Sequence, residues 1–245
     1  MTALLEIDAV SKAFGRVVVA DSLSFTVARG ETLGIVGPNG AGKTTLLDLI
    51  GGDQSPASGR IRLDGRDVTD VPAHLRARLG IGRTYQIPRP FGGMTVFENV
   101  LLGATFAAHP AEGSSHDPTA TAVAALVRTH LIDRANLPAG ALPLLDRKRL
   151  ELARALATGP SLLLLDEIAG GLTEHEVADL VETIKRLRAE GVTIVWIEHV
   201  VPALMAVVDR LIAMSAGRAL MDGAPADVMA DPIVQAEYLG AEVVA

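Results

Sequence analysis

The sequence predicts an α/β fold with helices packed on a parallel sheet, and three observations predict it. A glycine-rich loop, Gly37-Pro-Asn-Gly-Ala-Gly-Lys-Thr-Thr45, lies between the apolar run Glu31-Thr-Leu-Gly-Ile-Val36 and Thr45-Leu-Leu-Asp-Leu-Ile50, which reads as the first turns of a helix. Two later runs, Ser161-Leu-Leu-Leu-Leu165 and Val192-Thr-Ile-Val-Trp-Ile197, are continuously apolar, as strands buried on both faces of a parallel sheet are. Between those runs sits a helix signed at both ends. Thr173 and Glu176 form a capping box, Val177, Leu180, Val181, Ile184 and Leu187 share a face, and Gly191 supplies the stop.

In chain order, residues 3 to 35 alternate short β-rich runs with turns, among them Val17–Ala20 and Leu23–Val27. The glycine loop follows. Gly37, Gly42, Lys43 and Thr44 fit the pattern Gly, four residues, Gly, Lys, Ser/Thr, in the strand, loop, helix context that the pattern needs. Gly37, Gly40 and Gly42 let the backbone of Pro38, Asn39 and Ala41 bend tightly, so that N–H groups converge on phosphate oxygens at a helix N-terminus. Lys43 is placed to reach the β- and γ-phosphates, and the Thr44 hydroxyl, followed by Thr45, to ligate magnesium. A nucleoside triphosphate is the expected ligand. Residues 59 to 65 read as a further strand with turn residues at both ends.

Gln86 ends Gly80-Ile-Gly-Arg-Thr-Tyr-Gln86. A neutral amide there can touch magnesium or the attacking water, although spacing alone makes it an ordinary loop residue. Residues 103 to 120 are rich in breakers and read as a loop. His109, Glu112, His116 and Asp117 in this stretch suggest a metal site, but Pro110 and Pro118 spoil a helical register, which favours a solvated loop. Helical segments on either side, to about residue 157, predict a helical insertion between two halves of a nucleotide core.

Downstream, Leu162-Leu-Leu-Leu-Asp166-Glu167 ends an apolar strand in two carboxylates. Asp166 is placed to hold the magnesium shell, and Glu167 to orient or deprotonate the attacking water. His199 follows the next strand in Ile197-Glu198-His199, at the sheet edge where ligands of open α/β sheets bind. That position favours a γ-phosphate sensor over a surface histidine.

Composition narrows the function classes. The chain has 245 residues, a net charge of −7 and no cysteine. Disulfides and thiolate zinc sites are excluded, and the acidic balance argues against a surface built for nucleic acid. Hydrophobic residues make up 49%, yet no apolar run approaches the roughly 18 residues of a membrane span. The N-terminus lacks the basic and apolar regions of a signal peptide. A soluble, cytoplasmic protein is expected.

Taken together, these residues resemble the ATP-binding subunit of an ABC transporter along nearly the whole chain. Gly37 to Thr45 looks like the family's Walker A, Gln86 its Q-loop, Leu162 to Glu167 its Walker B and His199 its switch histidine. Phe14 sits where the family places an aromatic residue that stacks on adenine; a core residue is the alternative. Arg83-Thr-Tyr-Gln86, Met94-Thr-Val-Phe-Glu-Asn-Val100, Arg149-Leu-Glu-Leu-Ala-Arg-Ala-Leu156 and Ala236-Glu-Tyr-Leu-Gly240 are similar to the larger ATPase subunit of branched-chain amino acid importers.

The resemblance implies a P-loop NTPase fold. Residues about 1–86 and 158–245 would form the nucleotide core, with an antiparallel β region at the N-terminus, and residues about 87–157 a helical subdomain. It further implies ATP and Mg2+ as ligands, and a peripheral place on the cytoplasmic face of the membrane. Membrane subunits would dock at Gln86 to Met94, and a solute-binding protein would be an indirect partner. Dimers would be head to tail, with ATP between one chain's Walker A and the other's signature loop.

One segment departs from the family pattern. The signature Leu-Ser-Gly-Gly-Gln should precede Arg149, where this chain reads Leu142-Pro-Leu-Leu-Asp146. Pro143 offers neither a hydroxyl nor an N–H. Leu144 and Leu145 replace small residues, and Asp146 is expected to set a negative charge near a phosphate. Ile168 and Thr173 also depart, from a proline and from an acidic or amide residue. Because the signature serves the partner's ATP, a heterodimer with a second ATPase subunit is the expected assembly. The alternatives are a lipopolysaccharide-export-type ATPase, which works as a homodimer, and a nucleotide-binding switch with little turnover.

Overall fold

A computed structural model of the chain describes residues 3–107 and 117–242. The first elements are strands β1 (Ala3–Phe14), β2 (Val17–Ala28) and β3 (Thr32–Val36), then helix α1 (Lys43–Gly51), β4 (Ser58–Leu63), β5 (Arg66–Asp67), α2 (Ala73–Arg78) and β6 (Ile81–Arg83). A run of helices follows: α3 (Val96–Thr105), α4 (Pro118–Arg128) and α5 (Leu144–Ala157). The chain then returns through β7 (Leu162–Asp166), α6 (Glu174–Ala189), β8 (Thr193–Ile197), α7 (Val201–Met205), β9 (Arg210–Ser215), β10 (Arg218–Gly223), α8 (Pro225–Ala230) and α9 (Pro232–Glu242).

Two sheets result. The antiparallel one has the order β2-β1-β4-β5, the other the order β10-β9-β3-β8-β7-β6. In the second, β9, β3, β8, β7 and β6 run parallel, and β10 closes one edge antiparallel. Every residue of β3, β7 and β8 is buried, which is why these strands are apolar without alternation. Their side chains still divide between the faces. Leu163, Leu165, Ile194 and Trp196 pack with the helices α3 to α8 on one side. Leu162, Leu164, Val195 and Ile197 pack with α1 and the antiparallel sheet on the other.

The β-rich runs at Val17–Ala20 and Leu23–Val27 are parts of one strand, β2. Val10 pairs with Leu23 and Lys12 with Ala20, so β2 carries an extra residue there. Ser22, at φ 50, absorbs it as a bulge. Sequence reading splits the strand because a bulge interrupts the period-2 pattern.

The segment from 103 to 120 also differs from a simple loop. Residues through Thr105 continue α3, and Pro118 opens α4 behind an Asp117 cap that accepts from Thr119 N–H at 2.8 Å. Proline's fixed φ suits the first helical position, where no N–H is needed. His109, Glu112 and His116 lie outside the described residues. Among the described residues, no helix is long and apolar enough to cross a membrane.

Parallel pairing sets the site. Ile35 pairs with Ile197, and Asp166 with Ile197, so the carboxyl ends of β3, β8 and β7 lie side by side. The glycine loop, the carboxylate pair and the histidine therefore leave the sheet at one edge, where ligands of open α/β sheets bind.

Candidate functional site

The loop from Gly37 to Gly42 turns β3 into α1 through conformations that exclude side chains. Gly42 caps α1 at φ 94, and a Cβ there would sit 2.0 Å from the Val19 carbonyl oxygen. A Cβ on Gly37 would lie 2.2 Å from the Met214 oxygen. Lys43 is nearly buried and folds back over the loop, donating to the carbonyl oxygens of Gly37 (2.7 Å) and Pro38 (3.0 Å). Its burial lowers the ammonium pKa, while Glu167 and Asp166 pull it back up. A cavity of about 300 Å3 opens at this loop, lined by Asn39 to Thr45 together with Val19, Gln86 and Glu167. The free N–H groups of the α1 start and the Lys43 charge make it an anion site.

The acidic and amide groups converge on the same cavity. Gln86 Nε2 donates to Glu167 Oε2 at 2.7 Å, which joins residues 81 positions apart in sequence. Glu167 itself sits at φ 43, held by its N–H to the Ile197 carbonyl at 2.9 Å; a non-glycine residue takes this conformation only where its surroundings impose it. His199 Nδ1 stands 3.9 Å from that same Oε2, with its side chain half exposed.

Asp166 is buried, and burial raises its pKa against the opposing pull of Arg83. Among the described residues its Oδ1 has no hydrogen-bond partner. An orphaned buried carboxylate oxygen suits Mg2+, a hard cation that takes oxygen ligands, and Thr44 and Gln86 in the cavity lining carry two further oxygen donors. Thr44, Gln86 and Asp166 are the residues that would hold it.

Phe14 is not a core residue: at the end of β1 it is 49% exposed, and the Lys12 ammonium lies 5.3 Å from its ring centroid. It pairs across the hairpin with Val17, and Val18 follows; both are exposed as well. Together they form an apolar strip leading to Val19 in the cavity wall.

The departing segment has a different character. Leu142-Pro143 leads into α5 with Pro143 at the N-cap and no side-chain cap hydrogen bond. The charge expected of Asp146 is not presented outward. Its side chain is buried and paired with Arg134 and Arg149. An unpaired buried carboxylate is costly, so the two guanidinium groups draw it inward. Leu144 remains exposed and packs toward Gly171, where a Cβ would lie 3.3 Å from Leu144 Cδ2.

Three contributors escape sequence reasoning. Val19 enters the cavity wall only because β1 and β2 pair. Lys148, buried in α5, donates to the Glu167 carbonyl at 3.3 Å. Glu198, fully buried, accepts from Ala169 N–H at 2.6 Å, and its burial raises its pKa. Glu198 adjoins His199 in a motif already noted, so its position was a signal; Lys148 gave none.

Residues 20–170, more than half of the chain, match the ABC transporter family. BraF of Pseudomonas aeruginosa, a high-affinity branched-chain amino acid transport ATP-binding protein, is 34% identical over 97% of this chain and 98% of its own length. LptB of Acidithiobacillus ferridurans, a lipopolysaccharide export system ATP-binding protein, is 35% identical over 98% of both. The crystal structure of MJ1267 in its ADP conformation, an ATP-binding cassette of an ABC transporter, superposes at a TM-score of 0.88 with 28% identity, covering 98% of this chain and 100% of that one. Sequence match, fold and the phosphate loop at the sheet edge agree: the chain belongs to the ABC transporter family, as an ATP-binding protein that hydrolyses ATP.

Proposed function

We propose that this chain is an ATPase subunit of a membrane importer for a small polar solute, branched-chain or related amino acids, and that it works beside a second, different ATPase subunit. The observation that carries the pairing is the contrast between a cavity with a full set of groups and an α5 start with neither cap nor small residues. Similarity to BraF supports the solute class.

In this reading the loop N–H groups and Lys43 hold the triphosphate, and Phe14 stacks on the adenine. Glu167, with its carboxylate oriented by the Gln86 amide, accepts the proton of the attacking water, and His199 contacts the γ-phosphate. Mg2+ bound by Thr44, Gln86 and Asp166 would supply charge neutralisation of the phosphates. Residues about 1–86 and 158–245 act as the nucleotide core, and about 87–157 as the helical part. Gln86 to Met94 docks onto membrane subunits at the cytoplasmic face, with a solute-binding protein as the indirect partner. Tyr85, Phe91 and Phe106 are exposed in the lining of a groove of about 330 Å3 between these parts, which supports a docking role.

The test is ATP turnover by the purified chain across a range of protein concentrations, then with the candidate partner subunit added. Tight ATP binding with little turnover alone, and turnover on adding the partner, is the expected result. Turnover that rises faster than linearly with concentration, without a partner, would instead support the second reading, a homodimer of the export type, which the similarity to LptB favours. Binding with no turnover even beside the partner would leave the switch reading.

A further inference from the structure

Asp166 also belongs to a charge cluster centred on Arg83, a residue that the proposed function does not use. Arg83, the last residue of β6, has a side chain only 8% exposed, and three carboxylates converge on it. Its Nη1 donates to Asp53 at 2.7 Å and its Nη2 to Asp48 at 2.7 Å. The same Nη2 lies 3.5 Å from Asp166 Oδ2. The guanidinium is stacked on Tyr85, 4.9 Å from the ring centroid. Gly51 leaves it little slack, since a Cβ there would lie 3.3 Å from Nη1.

This arrangement divides the Asp166 carboxylate. Oδ2 faces the guanidinium, while Oδ1 is the buried oxygen with no partner. A carboxylate held at one oxygen by a planar fork presents the other in a fixed direction, which is how outer-sphere partners orient metal ligands. Arg83 also reaches the other way. With Asp53 and Tyr85 it lines the groove beside Phe91 and Phe106, so one guanidinium touches both the groove and the carboxylate of the nucleotide site.

We propose that Arg83 is a positioning residue for Asp166, setting the metal affinity of the nucleotide site, and that its pair with Asp53 makes that affinity sensitive to what fills the groove. The proposal rests on the reading of Asp166 as a magnesium ligand. Lysine cannot replace this arginine, because a single ammonium lacks the planar fork needed to span Asp48, Asp53 and Asp166 together.

The experiment is Mn2+ binding to the full chain saturated with ADP, followed by the electron paramagnetic resonance of free Mn2+. Melting temperature and metal-free ADP affinity are measured in parallel. Arg83→Lys is expected to weaken Mn2+ binding about tenfold, the lower end for outer-sphere partners, with metal-free ADP affinity changed less than about twofold. Asp53→Asn, which removes only the groove-side contact, is expected to weaken it about twofold to threefold, because the freed guanidinium draws Asp166 Oδ2 closer.

Unchanged Mn2+ affinity in Arg83→Lys, with Asp166→Asn abolishing binding, would overturn the proposal and leave the magnesium reading intact. Unchanged affinity in Asp166→Asn would overturn the magnesium reading itself. Equal losses in Arg83→Lys and Arg83→Leu that track loss of melting temperature would reduce Arg83 to a structural ion-pair hub. An effect of Arg83→Lys without one of Asp53→Asn would overturn the link to the groove.

Discussion

The nucleotide cavity and the start of α5 are both helix N-termini, and they are kept in opposite ways. At the cavity, Gly42 caps α1 in a conformation that leaves the helix N–H groups open, and Lys43 closes over the loop. At α5, a proline stands at the cap, two leucines follow, and the first acidic side chain is folded inward onto Arg134 and Arg149. A phosphate needs close backbone approach, free N–H groups and positive potential. The first terminus offers all three, whereas at the second the exposed Leu144 side chain stands in the way. On the proposed reading, binding this chain's own nucleotide and completing another chain's site are separable capacities, and only the first is well built here.

The sharpest way to break that comparison is to disable the better half. Glu167→Gln keeps the hydrogen-bonding outline beside Gln86 but removes the proposed base. Turnover measured with the partner subunit should fall about 10²- to 10⁴-fold, with ATP affinity retained. Turnover that survives would show that hydrolysis in the pair occurs at the other nucleotide.

Repairing the poorer half should have the next largest effect. Pro143→Ser, Leu144→Gly and Leu145→Gly together restore a hydroxyl, an N–H and room for a phosphate. The repaired chain alone should turn over ATP about 10²-fold faster than the original chain alone, the lower end of what one preorganised donor contributes. No gain would mean that the barrier to self-pairing lies elsewhere on the surface. Each glycine costs about 1 kcal/mol of helix stability, and Leu145 is buried, so its removal costs a further ~2–5 kcal/mol of packing; the comparison is made well below the melting temperature of the repaired chain.

How far the sequence carried these points depended on the kind of interaction. The parallel sheet was legible because burial on both faces forces residues 162–165 and 194–197 to be apolar throughout. The glycine loop was legible because Gly37 and Gly42 stand where a side chain would overlap the backbone. The bulge at Ser22 and the proline start of α4 were misread, since both are local conformations that the surrounding pairing or cap decides. The inward turn of Asp146 was hidden because Arg134 is brought beside it by tertiary packing. Arg83 stood in a recognised run, but its three carboxylates come from α1, the turn after it, and β7.

A smaller effect tests the edge of the cavity. Phe14 is exposed at 49% beside Val17 and Val18, an apolar surface with the Lys12 ammonium 5.3 Å from its ring centroid. Phe14→Ala should weaken ATP binding by about 0.5–1.5 kcal/mol, the range for an aromatic stacking contact. Folding should be untouched, as little area is buried. GTP affinity measured in the same way should fall by a similar amount, because stacking reads the ring and not its edge.

The smallest effect compares two helix starts, those of α5 and α6. At α6, Thr173 and Glu176 form a complete capping box: the Glu176 N–H donates to Thr173 Oγ1, and Glu176 Oε2 accepts from Thr173 N–H at 2.8 Å. Thr173→Ala should cost about 1 kcal/mol of stability. At α5 the reverse change, Pro143→Ser, adds a cap of similar worth, but it also releases the unfolded chain from the proline restriction, which offsets about 0.4–1 kcal/mol. The two terms partly cancel and leave a net gain of about 0–0.6 kcal/mol, so the single Pro143→Ser change should move the denaturation midpoint upward by no more than about two thirds of the Thr173→Ala shift. A large stabilisation by Pro143→Ser would mean that the α5 start is strained as it stands. The proline would then be tolerated at a cost to folding, and its presence would have to be explained by contact with a partner.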